Sequence, residues 1–226
     1  MKRILLYVSL AVLVVMGTGC PDHHGDESES EILDLIRQMV VAYLEGDYDL
    51  AREKADRIVE LAPNSSEPYA VRGLIFMAQD SLDQAREQLN IAIGKPEGDR
   101  DHAYVGRAML SREVDCSTTV EDGKRVLTAT PDYRLPAEWM EVDPDPPIVL
   151  TADHIKLLMA QCQYLGGQFG EALATAKSMS PSRTGPVGID NLSPDSPATW
   201  VVGQKAFGTY EAALGAALQA LEGSVT

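Results

Sequence analysis

The sequence predicts an all-α chain: a solenoid of about four helix–turn–helix pairs, closed by a C-terminal capping helix and carrying two proline-rich irregular inserts. Three observations lead there. Small and apolar residues coincide 34 positions apart, with Ala51, Ala85 and Thr119 in one register, Ala55, Leu89 and Gly123 in a second, and Ile58, Ala92 and Val126 in a third. Apolar residues such as Tyr69, Phe76, Leu82, Leu89 and Ile93 fall at helical spacing, so each helix buries one face. Glycine and proline punctuate the pattern: Pro63 and Pro131 coincide in the register and Pro96 stands one place early.

The physical sense of the repeat is that two antiparallel helices approach closely only where side chains are small, as at Gly73 and Ala85. A single pair cannot bury its apolar face, and stacking the next pair does. In the segment Ser66–Asp99 the positions of Tyr69, Gly73, Phe76, Ala85, Leu89, Ala92 and Pro96 together resemble the tetratricopeptide repeat family. The flanking units match less closely. The first has Leu35, Met39 and Ala42 at the aromatic, glycine and aromatic positions, and the third has Arg107 in place of the glycine. The resemblance implies a concave groove that receives a helix or extended peptide. Tyr69, Arg72, Phe76 and Tyr104 are its candidate residues, although Tyr69 and Phe76 also suit the core.

In chain order, residues 1–19 read as an export signal: Lys2 and Arg3, an apolar run from Ile4 to Met16 that is short for a membrane span, then Gly17, Thr18 and Gly19 before Cys20. That order resembles the lipobox of bacterial lipoproteins, with Gly17 where leucine is usual. The resemblance implies lipidation of Cys20 and a membrane anchor facing the periplasm or the cell exterior. Residues 20–30 carry nothing apolar beyond Cys20 and predict a flexible acidic tether. Asp22, His23, His24 and Asp26 include metal-ligand types, but a mobile segment lacks the surrounding hydrogen bonds that fix real ligands, so no metal site is assigned.

Residues 31–133 hold three repeats. The first turns at Glu45-Gly46-Asp47 and stops at Pro63. The second opens on a Ser66 cap with Pro68 in its first turn and bends at Gln79-Asp80-Ser81. The second helix of the third contains Thr118, Thr119, Asp122 and Gly123, all poor helix formers, yet the register is kept, and the register decides for a helix. Residues 134–150 form a Pro/Asp-rich insert. Residues 151–180 restart the pattern around Gly166-Gly167 as a fourth repeat, residues 181–195 read as a loop, and residues 196–226 as the capping helix.

The chain has 19 basic against 34 acidic residues. Removing Lys2 and Arg3 with the signal leaves 17 basic residues and a more acidic body, which excludes nucleic acid as a partner on electrostatic grounds. Cys116 and Cys162 are the candidates for a disulfide, with two buried thiols inside helices as the alternative. His102 and His154 each follow an aspartate at a helix start, where capping and surface exposure account for them. Gly166-Gly167 and Gly185-Pro186-Val187-Gly188 lack the lysine and hydroxyl residue of a phosphate loop. No catalytic set and no cofactor is indicated. Two readings follow: a membrane-anchored scaffold for an envelope protein or peptide, or a small-ligand-binding lipoprotein of a solute uptake system. In the second, the inserts wall a cavity around Trp139 and Trp200.

Overall fold

The computed structural model describes residues 25–134 and 151–225. Cys20, the export signal and Trp139 lie outside them. The chain is mostly helical, and consecutive helices pack as pairs. Helix α1 (Gly25–Leu44) packs on α2 (Tyr48–Leu61), α3 (Glu67–Ala78) on α4 (Leu82–Gly94), α5 (Asp101–Ser111) on α6 (Cys116–Ala129), and α7 (Ala152–Leu165) on α8 (Phe169–Lys177). Each pair stacks on the next through α2 and α3, α4 and α5, and α6 and α7. The first helices of successive pairs also meet, as α1 with α3 and α3 with α5.

The small position at the head of each second helix sets this spacing. Ala51, Ala85, Thr119 and Ala172 are all fully buried there. Thr119 keeps its hydroxyl satisfied by donating to the Ala108 carbonyl at 3.0 Å, across the pair. Leu89, also fully buried, is held from two sides: a Cβ on Gly73 would fall 2.6 Å from its Cγ, and a Cβ on Gly106 would fall 2.9 Å from its Cδ2. One leucine thus fills the space that two glycines leave between α3, α4 and α5.

Three of the four pairs turn in the same way. Asp47 N donates to Ala42 O at 2.9 Å, Ser81 N to Phe76 O at 2.8 Å and Gln168 N to Gln163 O at 2.8 Å. This closes the last turn of the first helix, with Gly46, Asp80 and Gly167 in the left-handed region. The third pair has no such closure; Asp115 N returns to Ser111 O at 2.7 Å instead. Asp115 then caps α6 through Thr118 N at 3.2 Å and accepts from Ser117 and Thr118 hydroxyls at 2.6 Å. Those hydrogen bonds hold its carboxyl down to about 2. The predicted helix over poor helix formers is therefore present and well capped.

The chain leaves the array at Arg134 and returns beside it at Thr151, the two joined by a β-bridge, with Ala152 N donating to Tyr133 O at 2.7 Å. The loop between the first two pairs is tied to the next in like manner, Ser66 N donating to Glu97 O at 3.0 Å. Ser66 stands at the start of α3, but its side chain makes no cap bond.

Three expectations need correction. Helix α1 begins at Gly25, so the end of the expected tether is helical. Residues 181–195 are not a loop. They form α9 (Pro181–Val187), stopped by Gly188 at φ +77°, and a 3-10 turn (Ile189–Asn191), because Val187, Ile189 and Leu192 bury against the terminal helix and α8. The capping element is not helical from residue 196. A 3-10 turn (Pro197–Thr199) leads into a hairpin of β1 (Val201–Val202) and β2 (Lys205–Ala206), and α10 (Tyr210–Val225) follows. The two β-branched residues and Gly203 at φ +59° favour the tight turn over helix there. Helix α10 then covers the last pair with Ala213, Leu214, Ala217, Leu218 and Leu221. Among the described residues no helix is long and apolar enough to cross a membrane.

Gly73→Ala is expected to lower stability by about 1–3 kcal/mol through overpacking, and Leu89→Ala by about 2–5 kcal/mol through the cavity it leaves. Because the two groups contend for one space, the double variant should lose clearly less than the sum. Urea melts of the three variants test this, and strict additivity would contradict the packing described.

Candidate functional site

The expected groove residues are joints between helices. Tyr69 and Arg72 on α3 stand 35 positions before Tyr104 and Arg107 on α5. In each pair the guanidinium lies over the ring, at 5.6 Å and 5.7 Å from its centroid. Arg72 also pairs with Asp56 of α2, and Arg107 reaches back to Asn90 of α4 at 3.1 Å. Arg107 grips Asp122 of α6 with two parallel bonds of 2.7 and 2.8 Å. A second cation covers each ring, Lys95 at 4.5 Å from Tyr69 and Arg125 at 5.0 Å from Tyr104. Tyr104 is buried and Phe76 half-buried. Tyr69, Arg72 and Tyr104 already have partners within the array.

Two openings lie at the opposite ends of α7. At its C-terminal end a mainly apolar cavity of about 430 Å³ is bounded by the end of α5, by α7 and by α10. Arg112, Cys162, Tyr164, Leu165 and Leu218 line it. Leu165 is 73% exposed and Val114, two residues after Arg112, is 74% exposed. At the N-terminal end of α7 a polar cleft of about 920 Å³ runs between Pro131–Arg134 and Ser178–Arg183. Arg134, Lys156 and Arg183 face Asp132 and Asp153 there. Asp153 fixes the floor by accepting from Ser180 N at 3.1 Å and Ser180 Oγ at 2.6 Å. The two stretches that flank this cleft are the starts of the two predicted inserts. Trp200 belongs to neither wall. Its indole donates to Ser193 O at 2.9 Å and its ring packs against the core under α10.

His102 departs from expectation by being buried. Its Nδ1 lies 2.7 Å from the Tyr133 hydroxyl, and the two rings meet edge to face. Burial pushes the imidazole pKa down, with Asp99, Asp101 and Glu67 opposing. Burial also pushes Asp101 up, against the hydrogen bond it accepts from Thr130. His154 conforms to a capping role, its ring nitrogen receiving Thr151 N at 3.2 Å. Cys116 and Cys162 are free thiols in this structure, and both donate to the Arg112 carbonyl, at 3.4 and 3.6 Å. Among the described residues no group of three His, Cys, Asp or Glu side chains is placed to hold a metal.

No family model, curated protein or solved structure matches this chain. The reading of its sites therefore rests on geometry alone. Sequence reasoning missed both openings. The one local signal for the apolar cavity was a leucine, Leu165, placed directly before the Gly166-Gly167 turn.

The depressed pKa of His102 gives a stability term that is complete above the unfolded value of about 6.5 and is lost as pH falls below it, since only the unfolded chain then takes up the proton. Between about pH 6.5 and 5, above the range where carboxylates titrate, the native protein should lose stability faster than His102→Gln. Denaturant melts at stepped pH measure this, and parallel curves for the two proteins would contradict it.

Proposed function

We propose that this chain is a lipid-anchored tetratricopeptide-type scaffold of the bacterial cell envelope, non-enzymatic, whose partner protein enters the cavity between α5, α7 and α10. The exposed Leu165 at an apolar opening carries the reading, since a large apolar group held in water at a cavity mouth suits the anchor side chain of a partner. The pairwise stacking of helices and the lipobox-like order before Cys20 support the scaffold and the anchor. A partner peptide with an apolar anchor flanked by basic residues fits an acidic body.

Crosslinking in cells followed by mass spectrometry should recover one or two envelope proteins in near-stoichiometric amount. Leu165→Glu should abolish that recovery while leaving the melting temperature unchanged, because the side chain is exposed. Recovery of background proteins only, or recovery indifferent to Leu165→Glu, would refute the proposal.

The polar cleft favours a second reading, a binding site for a small anion in a solute uptake lipoprotein. Its size suits a small molecule, and Arg134, Lys156 and Arg183 line it beside Asp132 and Asp153, on a chain that is acidic as a whole. A panel of carboxylates and phosphate esters should then contain a ligand that raises the melting temperature of the native protein, with the shift lost in Arg183→Gln. A flat response across the panel would remove this reading.

A further inference from the structure

We propose that Cys116 and Cys162 form a reversible disulfide that staples the third helix pair to the fourth across the excursion between Arg134 and Thr151. The two thiols come from different pairs, Cys116 from the first position of α6 and Cys162 from the middle of α7. They converge on one acceptor, the Arg112 carbonyl that ends α5, at 3.4 and 3.6 Å. Sharing one carbonyl oxygen makes the two sulfurs close neighbours. Cys116 is half-buried and approachable, whereas Cys162 is buried, 3% exposed, and lines the apolar cavity.

This asymmetry assigns the order of events. Burial, with Cys116 beside it, pushes the Cys162 thiol up to about 12, so Cys162 does not begin the exchange. Cys116 loses its proton and attacks one sulfur of a disulfide oxidant, forming a mixed disulfide and expelling one thiolate, which takes up a proton. Cys162 then gives up its proton and attacks the Cys116 sulfur, breaking the mixed disulfide and releasing the second thiol. Two protein thiols are oxidised and one oxidant disulfide is reduced to two thiols.

The place in the fold gives the bond its consequence. The third pair lacks the turn closure that the other three share, and the chain between it and the fourth pair is interrupted by the longest excursion among the described elements. A cross-link there closes a loop of roughly 46 residues and ties α6 to α7 across the joint between the third and fourth pairs. It also fixes one wall of the cavity that Cys162 lines. The inference does not depend on the envelope reading, because it concerns only which two thiols can meet.

The full chain, reduced and then incubated with glutathione disulfide, is digested without reductant and mapped by mass spectrometry. The expected result is a peptide pair joining Cys116 to Cys162, a rise in melting temperature on the order of 5–10 °C, and reversal of both by dithiothreitol. The rise should be absent in Cys116→Ser. Persistent glutathione adducts on Cys116 with Cys162 still open to alkylation, a bond from either cysteine to Cys20, or no reaction of the pair would overturn the proposal. A cross-linked protein that melts lower than the reduced one would overturn the staple in particular.

Discussion

The structure depends on one contact repeated four times, the close approach of two helices at a small side chain near the start of the second. Ala51, Ala85, Thr119 and Ala172 each occupy that contact with no solvent exposure. Once it fixes the separation within a pair, the larger residues have determinate spaces to fill, and Leu89 between Gly73 and Gly106 is the clearest instance. The same constraint acts between pairs at Gly123, where a Cβ would fall 2.6 Å from Met159 Sδ. Small residues thus set positions, and the large ones supply the burial that holds them.

Polar groups reinforce this spacing. Tyr69 with Arg72 and Tyr104 with Arg107 repeat a ring and a cation one helical turn apart, each cation reaching to the preceding pair. Asp122, with 5% of its side chain exposed, is a buried carboxylate, and only the bidentate grip of Arg107 makes such burial tolerable. Arg107 stands where the repeat resemblance has glycine. In the structure it repeats Arg72, lying over Tyr104 as Arg72 lies over Tyr69, while Gly106 beside it supplies the close approach to Leu89.

Much of the helical array was legible because its signals are local or periodic. Gly46 and Gly167 announce turns by themselves, and α6 was legible from its register although its propensities argue against it. Asp115 and the Thr119 hydroxyl bond explain why the register prevailed. The elements that escaped were too short to show a period: the seven residues of α9 and the two-residue strands before α10. Burial of His102 escaped for another reason, since its partner Tyr133 lies 31 residues away. Both openings are likewise assembled from separated segments. No stretch of sequence announces that Leu165, Arg112 and Leu218 meet.

The joint between the third and fourth pairs is where regularity fails. The third turn lacks a left-handed residue, the chain departs at Arg134 and returns at Thr151, and both thiols of the described body meet there. In a solenoid each pair is stabilised by its neighbours, so the third pair is held by α4 on one side and α7 on the other. Van der Waals contact across Gly123 and Met159 and the short bridge at Arg134 keep the stacking continuous through it. The apolar cavity opens at this same joint, on the side away from the bridge. A bond between Cys116 and Cys162 at this joint would fix one wall of the cavity, since Cys162 lines it.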